Sequence, residues 1–184
     1  MLSLAGTLAT AHRAVHRVTA PAELPALRDV LADRIHDAVL PSDLRGFALG
    51  LLDDLPDGER LFHGDWAGAA RGDAAADHAR ALLLLRWANP LPGTPPSSRA
   101  LIAAGRSMLA RRYIRAYRRG LPPPPHLDSW LLVHVAARLS EGIPAEHALL
   151  TGILQQGGFR EWIETPIDDY EALTGVTAGQ GLTT

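Results

Sequence analysis

Two residue types are missing from this chain of 184 residues: cysteine and lysine. The absence of cysteine excludes disulfides, thiolate nucleophiles and cysteine metal sites. The absence of lysine excludes Schiff-base catalysis, phosphate loops that depend on a lysine, and the lysine that kinases place on ATP phosphates. All 18 basic residues are arginine, which binds anions as a planar fork rather than as a point charge.

Acidic residues are absent from one long stretch of the chain. None occurs from His78 through Leu127, where nine of the eighteen arginines lie, whereas seven acids and one arginine follow from Glu141 onward. We expect the basic stretch to form a solvated face, paired in part with the acidic C-terminal segment; the other interpretation is a site for an anion or an acidic partner. Because the net charge is only −2, we expect no nucleic acid and no membrane as partners.

Aromatic residues are scarce, at 5%, and no run is long and apolar enough to span a bilayer. The first 19 residues resemble an amphipathic helix more than a signal peptide, because His12, Arg13, His16 and Arg17 interrupt the apolar residues. We therefore expect a cytoplasmic protein. The abundance of alanine and leucine favours helices over sheet.

The spacing of apolar residues predicts an all-α fold, with at most a vestigial strand near Phe62. We expect one compact helical domain over residues 1–158 and a C-terminal extension, 159–184, that is partly frayed. About seven helices are expected: 3–18, 24–39, one opening at Ser42, 74–87, one from Ser97 or Ser98 to Gly120, one from Asp128 or Ser129 to Gly142, and one from Pro144 to Gly157. The fourth should be central, because Leu82–Leu85 is apolar all round.

The most informative segment is 61–87, which contains His63-Gly64-Asp65, then Trp66, then Arg71-Gly72-Asp73 and Asp77. Together with the order of helices and with 113–119, this segment resembles the C-terminal lobe of the aminoglycoside phosphotransferase-like family, which includes choline kinase-like enzymes. In that family an aspartate of the His-Gly-Asp loop orients the substrate hydroxyl, and an asparagine and a later aspartate hold magnesium.

Several parts of the family pattern are missing here. The loop's second histidine and its asparagine are absent, as are the intervening strands and the N-terminal lobe with its lysine. Asp65 matches either the catalytic or the metal-binding aspartate of the family, and both matches stay open. The resemblance thus implies a truncated phosphotransferase-like domain without a metal or cofactor site.

The resemblance and the residue types together give the candidate site. His63 and Asp65 are the candidate catalytic pair, since imidazole titrates near neutral pH. Asp73 is expected to cap the helix that follows it. The candidate substrate-binding residues are Trp66, Arg71, Asp77, Arg112 and Tyr113.

Three functions are compatible with this site. The first is a degenerate phosphotransferase-like domain without autonomous kinase activity that binds a small molecule or a protein. The second is a repurposed enzyme of bacterial specialised metabolism, a cyclase, lyase or isomerase, in which His63 and Asp65 act as acid and base on a small molecule or modified peptide. The third is a phosphotransferase for aminoglycosides or other small molecules that a partner completes. Loss of the N-terminal lobe would expose apolar surface, so we expect self-association or docking on another protein.

Two further pairs stand four residues apart on predicted helices. His12 and His16 could face one zinc ion, but the sequence shows no third ligand near them. We therefore interpret them as residues at the edge of an amphipathic helix. Tyr113 and Tyr117 could stack on a nucleobase, yet their spacing is more typical of packing against a neighbouring helix.

Overall fold

The computed structural model describes residues 4–62, 69–87 and 94–157. This part of the chain contains seven α-helices, one short hairpin and one 3-10 turn, so the predicted all-α fold is confirmed. The elements are α1 Leu4–Val15, α2 Leu27–Asp37, α3 Ser42–Asp54, β1 Arg60–Phe62, β2 Ala70–Gly72, α4 Ala74–Trp87, α5 Pro96–Tyr117, α6 Leu127–Arg138 with the 3-10 turn Leu139–Glu141, and α7 Pro144–Gln156. The predicted C-terminal extension, 159–184, lies outside the described residues.

The central helix of the domain is α6. Its eight consecutive residues from Trp130 to Ala137 are all buried, because α2, α3, α4 and α7 pack around it. The sequence-based choice of α4 as the central helix is wrong. α4 buries Leu82 and Leu83 but leaves Leu84 and Leu85 only half-buried, since it lies at the side of α6 and carries α5 on its other face.

The vestigial strand predicted near Phe62 is one arm of an antiparallel hairpin. β1 pairs with β2 in the register Arg60 with Gly72, Leu61 with Arg71 and Phe62 with Ala70. The hairpin packs tightly on its surroundings: a Cβ built at Gly58 would lie 2.3 Å from the Gly72 carbonyl oxygen. Glycine is needed at this position because the backbones approach too closely for any side chain.

Three helix termini follow the sequence signals closely. Asp73 caps α4 as predicted, since its Oδ1 accepts a hydrogen bond of 2.6 Å from the Ala75 N–H. Gly142 and Gly157 adopt left-handed φ values of 63° and 66° at the ends of the α6 region and of α7. The long helix α5, in contrast, ends at Tyr117, and a turn carries the chain on to Gly120.

A largely buried ion pair joins α6 to α7. The Arg138 guanidinium donates from Nε to Glu146 Oε2 at 2.8 Å and from Nη2 to Glu146 Oε1 at 3.1 Å. The side chain of Glu146 is only 4% exposed, whereas that of Glu141, which Arg138 also contacts, is 33% exposed. The planar fork of arginine matches both oxygens of Glu146 and so fixes the angle between the two helices.

No helix in the described part of the chain is long and apolar enough to cross a membrane.

Candidate functional site: a histidine–tyrosine–aspartate cluster between three helices

The predicted catalytic pair, His63 and Asp65, and the predicted ligand Trp66 lie outside the described residues. The chain leaves β1 at Phe62 and re-enters β2 at Ala70, and both of these residues are buried. The segment that carries the pair therefore joins the two arms of the hairpin.

The four other predicted site residues do not converge on one place. Arg71 lies on β2, where it is half-buried and its N–H donates to the Pro25 carbonyl at 2.9 Å. Arg112 is exposed on the outer face of α5, whereas its neighbour Tyr113 is fully buried on the inner face. Only Tyr113 and Asp77 belong to the same cluster of side chains, which also contains His12, His16, His78 and Tyr117.

Asp77 is buried in the first turn of α4 and is 2% exposed. Its Oδ2 accepts a hydrogen bond of 2.9 Å from Nε2 of His16, which lies just beyond the end of α1. The other ring nitrogen of His16, Nδ1, lies 2.8 Å from the hydroxyl of Tyr117 on α5. When the imidazole is neutral, Asp77 holds the proton on Nε2, and Tyr117 donates to Nδ1. One histidine thus links three helices.

A second hydrogen-bonded chain runs beside the first. The Tyr113 hydroxyl lies 2.9 Å from Nδ1 of His12 and 3.0 Å from Nδ1 of His78. A phenol has one proton to donate, so it donates to one of these nitrogens and accepts from the other. His12 and His78 must therefore hold opposite protonation states at Nδ1. The His78 ring also stacks on Tyr117, with the ring centroids 4.0 Å apart.

Burial shifts the pKa values of three members of this cluster toward their uncharged forms. Desolvation, with smaller contributions from the nearby His16 and His12, lowers the pKa of His78 to about 3. Desolvation, together with Tyr117 and Asp77, raises the pKa of Tyr113 well above its usual value. The pKa of Tyr117 is raised to about 12 by burial and by Asp77 and Asp73. At neutral pH His78, Tyr113 and Tyr117 are therefore uncharged.

This arrangement is suited to holding helices together. The hydrogen bonds join α1 to α4 and α1 to α5, across 61 and 101 positions of sequence respectively. Each bond contributes on the order of 1 kcal/mol net, and more is lost when a buried partner is left unsatisfied. Within the described ranges, no group of three His, Cys, Asp or Glu side chains is placed to hold a metal ion. His12 and His16 instead use their Nδ1 atoms to bind the two tyrosines.

The interpretation of His12 and His16 as edge residues of an amphipathic helix thus missed their role. A signal for it is present in the sequence: two histidines four residues apart and two tyrosines four residues apart. When two helices run parallel, equal spacings allow both pairs to meet at once. Tyr113 and Tyr117 do pack against neighbouring helices, as their spacing predicted.

The outer face of α5 is strongly basic. Arg111, Arg112 and Arg115 on the helix are exposed, as are Arg118 and Arg119 just beyond its end. Among the described residues none of these arginines takes part in an ion pair. Burial lowers the pKa of Arg86, and the charge of Arg111 adds to this effect. The guanidinium of Arg86 lies 5.5 Å from the ring centroid of Trp87. The predicted basic face is therefore solvated along this helix.

In comparisons with protein-family models, with curated proteins and with solved structures, no match to this chain was found.

Proposed function

We propose that this chain is a binding domain with the helical plan of a phosphotransferase C-terminal lobe, and that it does not transfer phosphate itself. The observation that carries the proposal is the use made of Asp77 and Tyr113. The resemblance assigns both to substrate binding, but Asp77 holds His16 and Tyr113 bridges His12 and His78. Their hydrogen-bonding atoms serve the joint between α1, α4 and α5.

The electrostatics of the cluster support the same conclusion. Phosphoryl transfer is catalysed almost entirely by positioning and by neutralising charge on the migrating group. The uncharged Tyr113, Tyr117 and His78 offer no cation to a triphosphate. Arg111, Arg112 and Arg115 on α5 are exposed to solvent, whereas Tyr113 and Tyr117 on the same helix are buried. The three arginines thus lie on the exposed side of the helix that supplies both tyrosines.

The proposal is tested by titrating the full chain with ATP in the presence of magnesium chloride, by calorimetry. We expect no saturable heat at ATP concentrations up to about 1 mM, which corresponds to a binding free energy weaker than about −4 kcal/mol. An Asp77→Asn variant serves as the control, since it should lower stability and leave the ATP titration unchanged. Tight, magnesium-dependent ATP binding that the variant loses would contradict the proposal.

A second candidate function is the repurposed enzyme. It rests on the sequence, which places His63 and Asp65, a candidate acid and base, in the segment between β1 and β2. Activity in the producing cell should then require both His63 and Asp65. Full function of a His63→Ala/Asp65→Ala double variant would exclude the enzyme and leave the binding domain.

A further inference from the structure

The helix α5 extends well beyond the helix that packs along it. The hydrogen bonds pair position 12 with 113 and position 16 with 117, a constant offset of 101. α1 and α5 therefore run parallel, and Leu4, the first residue of α1, lies at the level of Gly105. α5 begins nine residues earlier, at Pro96. None of the side chains described between 97 and 109 is buried.

The outward face of α5 has a two-part composition. Positions 101, 104, 108, 111, 115 and 118 alternate in steps of three and four, the spacing of a helix–helix contact line. The first three are Leu101, Ala104 and Met108, with Leu101 75% and Met108 51% exposed. The last three are Arg111, Arg115 and Arg118, all exposed. We call these six residues the α5 seam, which is about 26 Å long at 1.5 Å per residue.

The apolar half of the seam is shaped for a second helix. Ala104 and Gly105 are exposed beside Leu101, and a Cβ added at Gly105 would meet no atom within 4 Å. Small residues between larger ones allow two helix axes to approach closely. Leu4, which is 73% exposed, lies at the level of Gly105. Exposed apolar side chains grouped in this way mark interaction sites.

The charged half of the seam selects the chemistry of the partner. The seam residues Arg111, Arg115 and Arg118, like the rest of α5, have no acidic side chain on the same helix to pair with, because the sequence has none from position 78 through 127. A second copy of α5 would bring arginine to arginine in a parallel pair, which costs energy, and arginine to the apolar half of the seam in an antiparallel pair; neither arrangement supplies the arginines with a carboxylate. An anionic membrane would favour apolar and aromatic anchors along the helix, whereas this seam turns wholly cationic after Met108. Carboxylates on a helix fit the arginine forks best.

We propose that the α5 seam binds an amphipathic helix of a separate protein, apolar over about three turns and acidic over the next two. The inference rests on the proposed role of the chain as a binding domain and names the partner that such a domain takes. Leucine-like side chains of the partner pack on Leu101 and Met108 beside Gly105, and its glutamates or aspartates pair with Arg111 and Arg115. The chain's own acids after Gly157 are a second source of the same charge, but Pro166 interrupts that run, and proline breaks a continuous helix.

The experiment uses the full chain and a synthetic fluorescein-labelled helical peptide of 21 residues. The contact line of the peptide is leucine in one half and glutamate in the other. Two versions are made, one with leucine in the N-terminal half and one with glutamate there. Matched peptides carry lysine in place of glutamate. We expect saturable binding of the glutamate peptide by fluorescence anisotropy and none of the lysine peptide. Binding should weaken when salt is raised, because exposed charge pairs are screened over a Debye length of about 10 Å at 0.1 M.

Variants locate the binding on the seam. Arg111→Glu/Arg115→Glu should weaken the glutamate peptide at least about tenfold and allow the lysine peptide to bind. Leu101→Glu should also weaken binding about tenfold, since it removes the apolar anchor. Val39→Glu is the matched control: Val39 is 73% exposed, lies between α2 and α3, and should leave the affinity within twofold.

Six results would overturn the proposal. The seam does not select acidic helices if both peptides bind equally or if neither binds. The same conclusion follows if the Arg111→Glu/Arg115→Glu variant binds the glutamate peptide as tightly as the unmodified chain does. If light scattering shows a dimer that Leu101→Glu abolishes, the occupant of the seam is a second copy of the chain. If the chain binds phosphatidylglycerol vesicles and not the peptide, the occupant is a membrane. The occupant of the seam is the chain's own tail if the peptide binds only after the acidic residues of that tail are neutralised, which are Glu161, Glu164, Asp168, Asp169 and Glu171. The ATP titration of the unmodified chain does not involve the seam, so it separates failure of this inference from failure of the proposed function.

Discussion

Replacing Tyr113 with phenylalanine tests whether the cluster between α1, α4 and α5 holds the fold together. The change removes one oxygen and keeps the ring, so it creates almost no cavity. That oxygen serves two histidines, His12 at 2.9 Å and His78 at 3.0 Å. Tyr117→Phe is the matched control, because its hydroxyl serves one histidine, His16, at 2.8 Å.

The expected magnitude follows from how far each histidine is from water. Losing a hydrogen bond costs about 1 kcal/mol net, and a partner left buried and unsatisfied costs about 1–3 kcal/mol. His78 is fully buried and cannot replace the lost bond with water, whereas His12 is half-buried and can in part. We therefore expect Tyr113→Phe to lower the free energy of unfolding by about 3 kcal/mol and Tyr117→Phe by about 1.5 kcal/mol.

The measurement is urea denaturation followed by circular dichroism at 222 nm, with the slope against urea compared between variants. In a thermal scan, a loss of about 3 kcal/mol should lower Tm by about 6–12 °C for a chain of this size. If Tyr113→Phe costs no more than Tyr117→Phe, the double role of the Tyr113 hydroxyl is refuted. A cost below about 0.5 kcal/mol for both would refute the cluster as a tie between helices.

Three further predictions concern other parts of the domain. Glu146→Gln should cost about 2 kcal/mol, because it breaks the buried pair with Arg138, while Glu141→Gln, which is more exposed, should cost under about 1 kcal/mol; equal costs in urea denaturation would contradict this. Burial lowers the pKa of His78 and of His134 to about 3, below the value near 6.5 in the unfolded chain. The unfolded chain therefore binds more protons, and the free energy of unfolding should fall as the pH drops from about 6.5 toward 3. The expected slope is up to about 1.4 kcal/mol per pH unit for each histidine. His134→Phe should flatten this slope, and an unchanged slope would show that His134 does not cause it. Gly58→Ala should destabilise the hairpin by about 2 kcal/mol, because its Cβ would overlap backbone atoms. Gly50→Ala should stabilise the protein by about 0.5–1 kcal/mol, because a Cβ at this position in α3 meets nothing within 4 Å. A change of the same sign in both variants would refute the packing argument.

Local chemistry explains which parts of the fold were predictable from the sequence. Asp73 caps α4, and Gly142 and Gly157 end helices, because each signal acts within a few residues of itself. Helical spacing of apolar residues gave the all-α class for the same reason. The choice of the central helix failed, since Leu82–Leu85 resembled a fully buried segment and α6 proved to be the one enclosed by four neighbours.

The candidate site was harder to predict because its contacts are distant in sequence. His16 meets Asp77 and Tyr117 only when α1 has packed against α4 and α5. A histidine beside an apolar stripe looks the same in sequence whether it faces water or a buried phenol, and the energy that decides between these is tertiary. Arg112 and Tyr113 show the reverse error: adjacent in sequence, they were assigned to one site, but α5 exposes Arg112 and buries Tyr113.

The equal spacing of the two histidines and the two tyrosines has a consequence for alignment. If α1 slid by one helical turn along α5, His12 would come opposite Tyr117 and keep one partner, while His16 would pass beyond the last tyrosine and leave Asp77 behind. The shifted arrangement therefore retains one of the three hydrogen bonds that His12 and His16 make to the cluster, and it removes the His16 bond from the buried Asp77. A chain made largely of alanine and leucine offers many nearly equivalent ways to lay one helix on another, and this pair of matched intervals admits only one of them.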